Sequence, residues 1–412
     1  MITVRTTVVV GAGTILTVGA ILVWTGKLDD EAPGIELSAP DEVVRGPVQI
    51  AIRIEDEQPG VGTAFVQVDD HPPEPLHLDD NGQAVWSIPA QPTRDGLHTV
   101  TVSATDGAWT ANAAEATITY TTDHTPPVLE WALIPTDPAQ GEVVALFVRA
   151  SEALSESVFS GLEQTRPLRP VADGTLRGLV GLGVKTPAGP HTLAVEAADP
   201  LGNTTRCALP IMVRETHFPR GGTIRLSNRQ VAARRDTEAL AKMRRDRTAA
   251  YVHVDPVAHW SGGAVRPVTG RRTSAFGRYR TYSDGRKKHH LGTDLANITG
   301  TPVHAALSGV VRAAGWQHLF GNAVIVHHGQ GLTTSYNHLS RVDVQVGDAV
   351  EAGDLVGAIG STGQSTGPHL HWGMQVGEVE VDPERWPDHG FAPTQLAAPI
   401  SWALATDCTP LR

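Results

Sequence analysis

Polar and apolar positions alternate along Val48–Ile54, and the same two-residue period returns at Val100–Ala104 and Leu193–Ala197. Alternation of this kind predicts half-buried antiparallel strands, because successive strand side chains point to opposite faces. Two of these stretches belong to a longer repeat. The frame Gly-x-His-Thr-x-x-Val-x-Ala-x-Asp starts at Gly96 and again at Gly189, 93 residues later. That period suits a β-sandwich of about 100 residues. His98 and His191 occupy equivalent places in the two copies and are read as structural, since a repeated lone imidazole is a packing or turn device.

Two other patterns interrupt the strands. Thr6–Gly26 carries no charge and is bounded by Arg5 and Lys27. A run of that length at 1.5 Å per residue crosses a hydrocarbon core of about 30 Å, so it predicts a transmembrane helix. No small-x-small cleavage site follows it, which favours an uncleaved anchor over a signal peptide. Arg5 favours a cytoplasmic N-terminus, with everything after residue 30 outside the cytoplasm. Further along, Ser227-Asn228-Arg229-Gln230 has the form of a capping box and predicts a helix through about Ala249.

Composition changes the picture in two places. The 412 residues allow about three domains, and 42 Gly with 29 Pro fit many short strands and turns. Charge is uneven. From Arg214 to Lys288 there are 18 Lys or Arg against 6 Asp or Glu, a local balance of +12 in a chain whose net charge is -11. This basic connector either holds an anionic envelope polymer or lipid head group, or is a solvated helix pairing with acidic sandwich surfaces. Nucleic acid is not an expected partner, because the segment lies beyond the anchor and carries no reading motif. Cys207 and Cys408, the chain's two cysteines, could pair in an oxidising compartment and tie the C-terminal tail to the second repeat, a pairing the sequence leaves open.

Candidate chemistry sits in the last third. His290-Leu291-Gly292-Thr293-Asp294 and Gly367-Pro368-His369-Leu370-His371 lie some eighty residues apart, with His338 between them. On a strand, His369 and His371 project to one face while Leu370 and Trp372 point into the core. Imidazole nitrogen and carboxylate oxygen are zinc ligands, and three of them leave a fourth position for water. No cysteine lies nearby, which argues against a closed structural site. His327 and His328 follow the strand Val324–Val326 and are expected to be structural. His304, His318 and His389 read as ordinary surface or packing residues.

These motifs resemble the lysostaphin-type, LytM-like zinc endopeptidases that cut peptide bonds in bacterial peptidoglycan. The resemblance also runs through Gly300-Thr301-Pro302-Val303, Gly321-Asn322, Tyr336-Asn337-His338-Leu339, Val346-Gly347-Asp348, Ala352-Gly353-Asp354 and Gly360-Ser361-Thr362-Gly363, covering about residues 265 to 387. It implies one zinc ion per chain held by His290, Asp294 and His371. It further implies that His338 and His369 contact the activated water and the scissile carbonyl. The separate roles of His369 and His371 rest on this resemblance, since both share a strand face. His289 and Trp372-Gly373 depart from the usual family residues without removing a reacting group. The two repeats resemble bacterial immunoglobulin-like domains.

The expected chain is therefore mainly β: a membrane anchor or signal segment at 1–30, immunoglobulin-like β-sandwiches at 31–123 and 124–215, and a basic helical connector at 216–264. A LytM-like metallopeptidase domain at 265–395 and a tail at 396–412 complete it. The expected function is zinc-dependent hydrolysis of peptide cross-links or stem peptides of peptidoglycan from the bacterial cell envelope, with the sandwiches as spacers. The alternative is a catalytically silent scaffold or amidase regulator with a metallopeptidase-like domain.

Overall fold

Both copies of the repeat end on the same turn clamp. Asp106 Oδ1 accepts from the backbone N–H groups of Ala108 and Asn112 at 3.1 and 2.9 Å, and its Oδ2 accepts from Asn112 Nδ2 at 2.7 Å. Asp199 does the same with Leu201, Asn203 and Asn203 Nδ2, at 2.8, 2.9 and 2.8 Å. A buried carboxylate persists only with such donors, which is why the frame closes on aspartate. The two histidines of the frame diverge. His98 is buried, stacked on Tyr120 and bonded to Asp69 and Thr122, whereas His191 bonds the Pro187 carbonyl at 2.7 Å from a more open position.

The structure is a computed structural model and describes residues 4–5, 31–39, 43–57, 60–89, 94–108, 111–252, 255–391 and 400–411. The uncharged run expected to anchor the chain lies outside the described residues. Among the described residues, no helix is long and apolar enough to cross a membrane.

The chain divides into two compact units. In the first, two four-stranded sheets enclose one core. One sheet runs in the order Val4–Arg5, Gly34–Ser38, Val48–Glu55, Gln83–Ile88; the other runs Glu74–Pro75, Val61–Val68, Gly96–Asp106, Ala113–Thr122. Val48–Glu55 alternates buried and exposed residues along its full length, so Ile50, Ile52 and Ile54 meet Val100, Val102 and Ala104 in the core. Each such side chain contributes about 1.5–3 kcal/mol when fully buried.

The second unit, 127–197 and 205–411, contains most of the second repeat and the C-terminal region. Its sandwich pairs a five-stranded sheet built around Val143–Ala150 with another built around Gly189–Ala198 and Thr204–Val213. The tail is woven into both, because Ala403–Leu404 extends the first sheet and Cys408–Leu411 the second, and Cys207 and Cys408 form a disulfide. Val143–Val148 is buried on both faces. Val144, Leu146 and Val148 fill the sandwich core, while Val143, Ala145 and Phe147 pack with Trp260, Leu332, Met374 and Val376 of the C-terminal region. A continuous apolar run is what a strand covered on two sides requires. Arg177 reinforces the junction, donating to the Phe391 carbonyl at 2.7 Å and to Gln330 Oε1 at 3.0 Å.

The C-terminal region centres on an eight-stranded sheet. Its path is Arg271–Ser274, Thr293–Ala296, Leu370–Val376, Leu332–Leu339, Gly321–Gly329, Gly309–Gln317, Ala349–Val350, with Val379–Val381 paired to Leu370–Val376. The connector forms two helices rather than one: α1 (Asn228–Ala233) and α2 (Thr237–Tyr251). Ser227 and Gln230 cap α1 reciprocally, as the capping box predicts. The break comes at Asp236, whose carboxylate accepts from Ala239 N–H at 2.9 Å and starts a new helix.

Candidate metal centre

Strand order assembles the site. Leu370–Val376 lies between Thr293–Ala296 and Leu332–Leu339, and the antiparallel register sets His371 opposite both Asp294 and Asn337. His290 enters from the end of the hairpin formed by Tyr279–Tyr282 and Lys287–His289. The sequence-distant residues thus meet: His290 Nε2 lies 2.9 Å from His371 Nδ1 and 3.0 Å from Asp294 Oδ1, and His371 Nδ1 lies 2.9 Å from Asp294 Oδ1.

The protons on these rings are constrained by their other contacts. His290 Nδ1 lies 3.0 Å from the Ala275 carbonyl and so donates to it, which leaves Nε2 a bare lone pair. That lone pair faces a carboxylate oxygen, and His371 Nδ1 can place at most one proton among the three atoms. Three convergent acceptors with one proton repel unless a cation joins them. Tetrahedral zinc at about 2.0–2.1 Å from each ligand sets its ligands about 3.3 Å apart, so the trio needs to open by only a few tenths of an ångström. The donor set fits a divalent ion with one carboxylate oxygen and two imidazole nitrogens.

Burial raises the Asp294 pKa, but the His290 and His371 rings against it outweigh that and hold the carboxyl well below its usual range. Burial also lowers His371, to about 4 despite the opposing pull of Asp294, so the ring stays neutral at physiological pH. Neutral imidazole is the form that binds metal.

His338 and His369 flank the trio. Their ring centroids are 5.0 Å apart, and His338 is 6.0 Å from His371. His338 Nδ1 donates to the Thr362 carbonyl at 2.9 Å, and His369 Nδ1 to the Gly367 carbonyl at 2.8 Å, so in the neutral ring the lone pair sits on Nε2. His369 Nε2 stands 3.7 Å from Asp294 Oδ1, outside the tight trio. The two histidines of one strand face therefore differ in distance and in the nitrogen they offer. Burial drives His338 down to about 3, with like charge from His371 and His369 adding to the effect. Its backbone has φ 65°, a left-handed conformation uncommon for a side-chain-bearing residue and found where surroundings impose it. Here its N–H is held by the Phe320 carbonyl at 2.8 Å.

Sequence reasoning missed Arg280. Its Nη2 lies 2.6 Å from Asp294 Oδ2, the oxygen turned away from the trio, and both groups are largely buried. Only its place in the basic stretch from Arg214 to Lys288 marked it. The other histidines stay out of the site: His328 bonds Ser308 and Thr334, His304 bonds the Gly353 carbonyl, and His389 accepts from Phe391 N–H. His327, next to His328 in the chain, is buried as well. His318 bonds the Ala233 carbonyl at the end of α1, and His289 packs on Tyr279 and Phe218. The connector arginines turn onto the catalytic region: Arg234 donates to Gln364 Oε1 at 2.7 Å and Arg247 to Asn337 Oδ1 at 3.2 Å.

Residues 288–383 match the model of peptidase family M23, so the C-terminal region carries an M23 peptidase domain. The chain is 43% identical over 94 residues to "DD-carboxypeptidase/endopeptidase Mpg" of Neisseria meningitidis serogroup B, covering 23% of this chain and 22% of that protein. It is 39% identical over 99 residues to "Peptidoglycan DD-endopeptidase ShyC" of Vibrio cholerae, covering 24% and 23%. The match thus spans less than a quarter of these relatives' lengths. Among solved structures, a peptidase M23 from Pseudomonas aeruginosa aligns with TM-score 0.46 and 26% identity over 61% of this chain and 95% of that one.

Proposed function

We propose that the C-terminal domain is a zinc-dependent endopeptidase that hydrolyses peptide bonds of bacterial peptidoglycan. The observation that carries this reading is the convergence of His290 Nε2, His371 Nδ1 and Asp294 Oδ1 within 3.0 Å, with more lone pairs than protons among them. The matched family domain and the peptidoglycan endopeptidases similar to it support the substrate class.

In this reading His290, Asp294 and His371 hold one zinc ion per chain, which when bound supplies a Lewis acid and lowers the pKa of its water. His338 and His369 do the proton work. Each presents an unprotonated Nε2, so one accepts a proton from the attacking water. The water oxygen bonds to the carbonyl carbon, the C–N bond breaks, and the proton passes to the departing amine. That one Nε2, while it carries the proton, donates to the developing oxyanion before handing the proton to the amine. Asn337 steadies the strand, donating from Nδ2 to the His371 carbonyl at 3.1 Å.

The two sandwiches are read as immunoglobulin-like modules in an envelope protein anchored by its N-terminal segment or released after cleavage. The first serves as a spacer, whereas the second shares a hydrophobic core with the peptidase domain and braces it. Incubating purified sacculi with wild type and with His371→Ala tests the activity. Release of muropeptides by wild type alone is expected. Zinc-loaded wild type that releases no more than the variant would favour the silent-scaffold alternative.

A further inference from the structure

The turn that closes the second repeat brings together more oxygen than its own backbone uses. Asp123, Asp199 and Asn203 all belong to the first compact unit, which takes in Met1–Pro126 and Ala198–Thr204. Asp199 accepts three N–H bonds inside its turn, and a carboxylate oxygen of Asp123 lies within 4.8 Å of one of Asp199. Like charges at that distance disfavour one another, and a cation between them reverses the sign. Asp123 is only partly buried, and its Oδ1 accepts from Thr125 N–H at 3.0 Å, which leaves Oδ2 to face a ligand.

Asn203 points to what that ligand is. Its side chain is 1% exposed, and its Nδ2 donates to Asp199 Oδ2 at 2.8 Å and to the Asp123 carbonyl at 3.0 Å. Two acceptors fix which end of the amide is nitrogen, so Oδ1 is the atom left over. That oxygen is enclosed and takes no hydrogen bond among the described residues. A buried polar atom without a partner costs about 1–3 kcal/mol, and an acceptor set beside two carboxylates calls for a cation. Calcium–oxygen distances of about 2.3–2.6 Å are shorter than most hydrogen bonds, so an ion fits where a water does not. The first repeat has the same clamp in looser form. Asn112 Nδ2 donates to Asp106 Oδ2 at 2.7 Å and to the Glu31 carbonyl at 3.2 Å, but Asn112 is less buried than Asn203 and Asp106 joins no comparable acidic group among the described residues.

We propose that Asp123, Asp199 and Asn203 form a calcium site holding one ion per chain. Asp123 Oδ2, the Asp199 carboxylate and Asn203 Oδ1 are hard oxygen donors, and water with backbone carbonyls completes the roughly six to eight positions that calcium takes. An all-oxygen donor set separates this site from the zinc centre, where two ligands are imidazoles. The ion ties the Asp199 turn to Asp123 and so stabilises the first unit.

The test is a calorimetric calcium titration of the full chain, freed of metal and then saturated with zinc. One calcium ion per chain is expected, with Kd on the order of 10⁻⁴–10⁻³ M, the range of extracellular modules. Asp123→Asn and Asn203→Ala should each weaken it about tenfold or more, the size of one lost charged ligand, whereas His371→Ala should bind calcium as wild type does. Calcium should also raise the unfolding temperature of wild type, by less in Asp123→Asn. The wild-type titration needs no variant, so misfolding of either one leaves it intact. A wild-type chain that takes up no calcium at about 10 mM, ten times the weakest expected Kd, would overturn the proposal. So would a folded Asp123→Asn that binds like wild type. Loss of calcium in His371→Ala alone would move the ion to the zinc centre and overturn it equally.

Discussion

Arg280 Nη2 holds Asp294 Oδ2 at 2.6 Å, while Oδ1 of the same carboxylate lies 2.9 Å from His371 Nδ1. One oxygen is fixed by the arginine, so only the other is presented to His290 and His371. Groups that orient a metal ligand from behind are typically worth 10–100-fold in metal affinity. Arg280→Ala is expected to weaken zinc binding by about that factor, with Arg280→Lys recovering part, as read by competition with a chromophoric chelator. Unchanged affinity would show that Asp294 needs no such support.

Gly292 explains the middle of the His-x-Gly-x-Asp motif. A Cβ there would stand 2.6 Å from the Trp372 carbonyl oxygen and 2.8 Å from His371 Cε1 and Nε2. Neither the backbone nor the packed ring has room to give. Gly292→Ala is expected to cost about 1–3 kcal/mol in urea unfolding and to lower the zinc content of the purified protein.

His338 and His369 are expected to separate from the trio by function. His338→Ala and His369→Ala should retain zinc by elemental analysis yet lose about 10²–10⁴-fold in muropeptide release, the usual range for general acid–base catalysis. Loss of zinc in either variant would move that residue into the ligand set.

Much of this was legible in the sequence because it repeats with a simple period or sits in a dense motif. Alternation at Val48–Ile54 and at Val100–Ala104 identified strands whose inward residues fill one core, and the resemblance carried by the two histidine motifs implied His290, Asp294 and His371, whose ligand atoms the fold brings close together. Arg280 was not legible, since pairing it with Asp294 depends on how the Tyr279–Tyr282 hairpin folds back. The junction through Phe147 was hidden for a related reason. The unbroken run Val143–Val148 signals burial on both faces but does not say what covers the second one. The single connector helix became two because Asp236 offers a better start than a continuation. The basic charge of that connector described a total, not the direction in which Arg234 and Arg247 turn.

Acid should destabilise the second unit through His328. Its ring is fully buried, between the Ser308 carbonyl at 2.8 Å and Thr334 Oγ1 at 2.9 Å, and burial lowers its pKa to about 3. The folded pKa is below the unfolded value of about 6.5, so the unfolded state takes up the proton first as pH falls. Its contribution is present above about pH 6.5 and is lost progressively between there and pH 3, by up to about 1.4 kcal/mol per pH unit. Urea unfolding of His328→Gln, followed from pH 7 to pH 4, should show a shallower decline than wild type. Parallel declines would assign the acid sensitivity to other groups.

The most direct measurement is a zinc titration of the metal-free full chain, with wild type, His290→Ala, His371→Ala and His369→Ala compared under one buffer. One tight site per wild-type chain is expected, retained in His369→Ala and abolished in His290→Ala and His371→Ala. A wild-type chain that takes up no zinc, or a His369→Ala variant that loses it as fully as His371→Ala, would contradict the account.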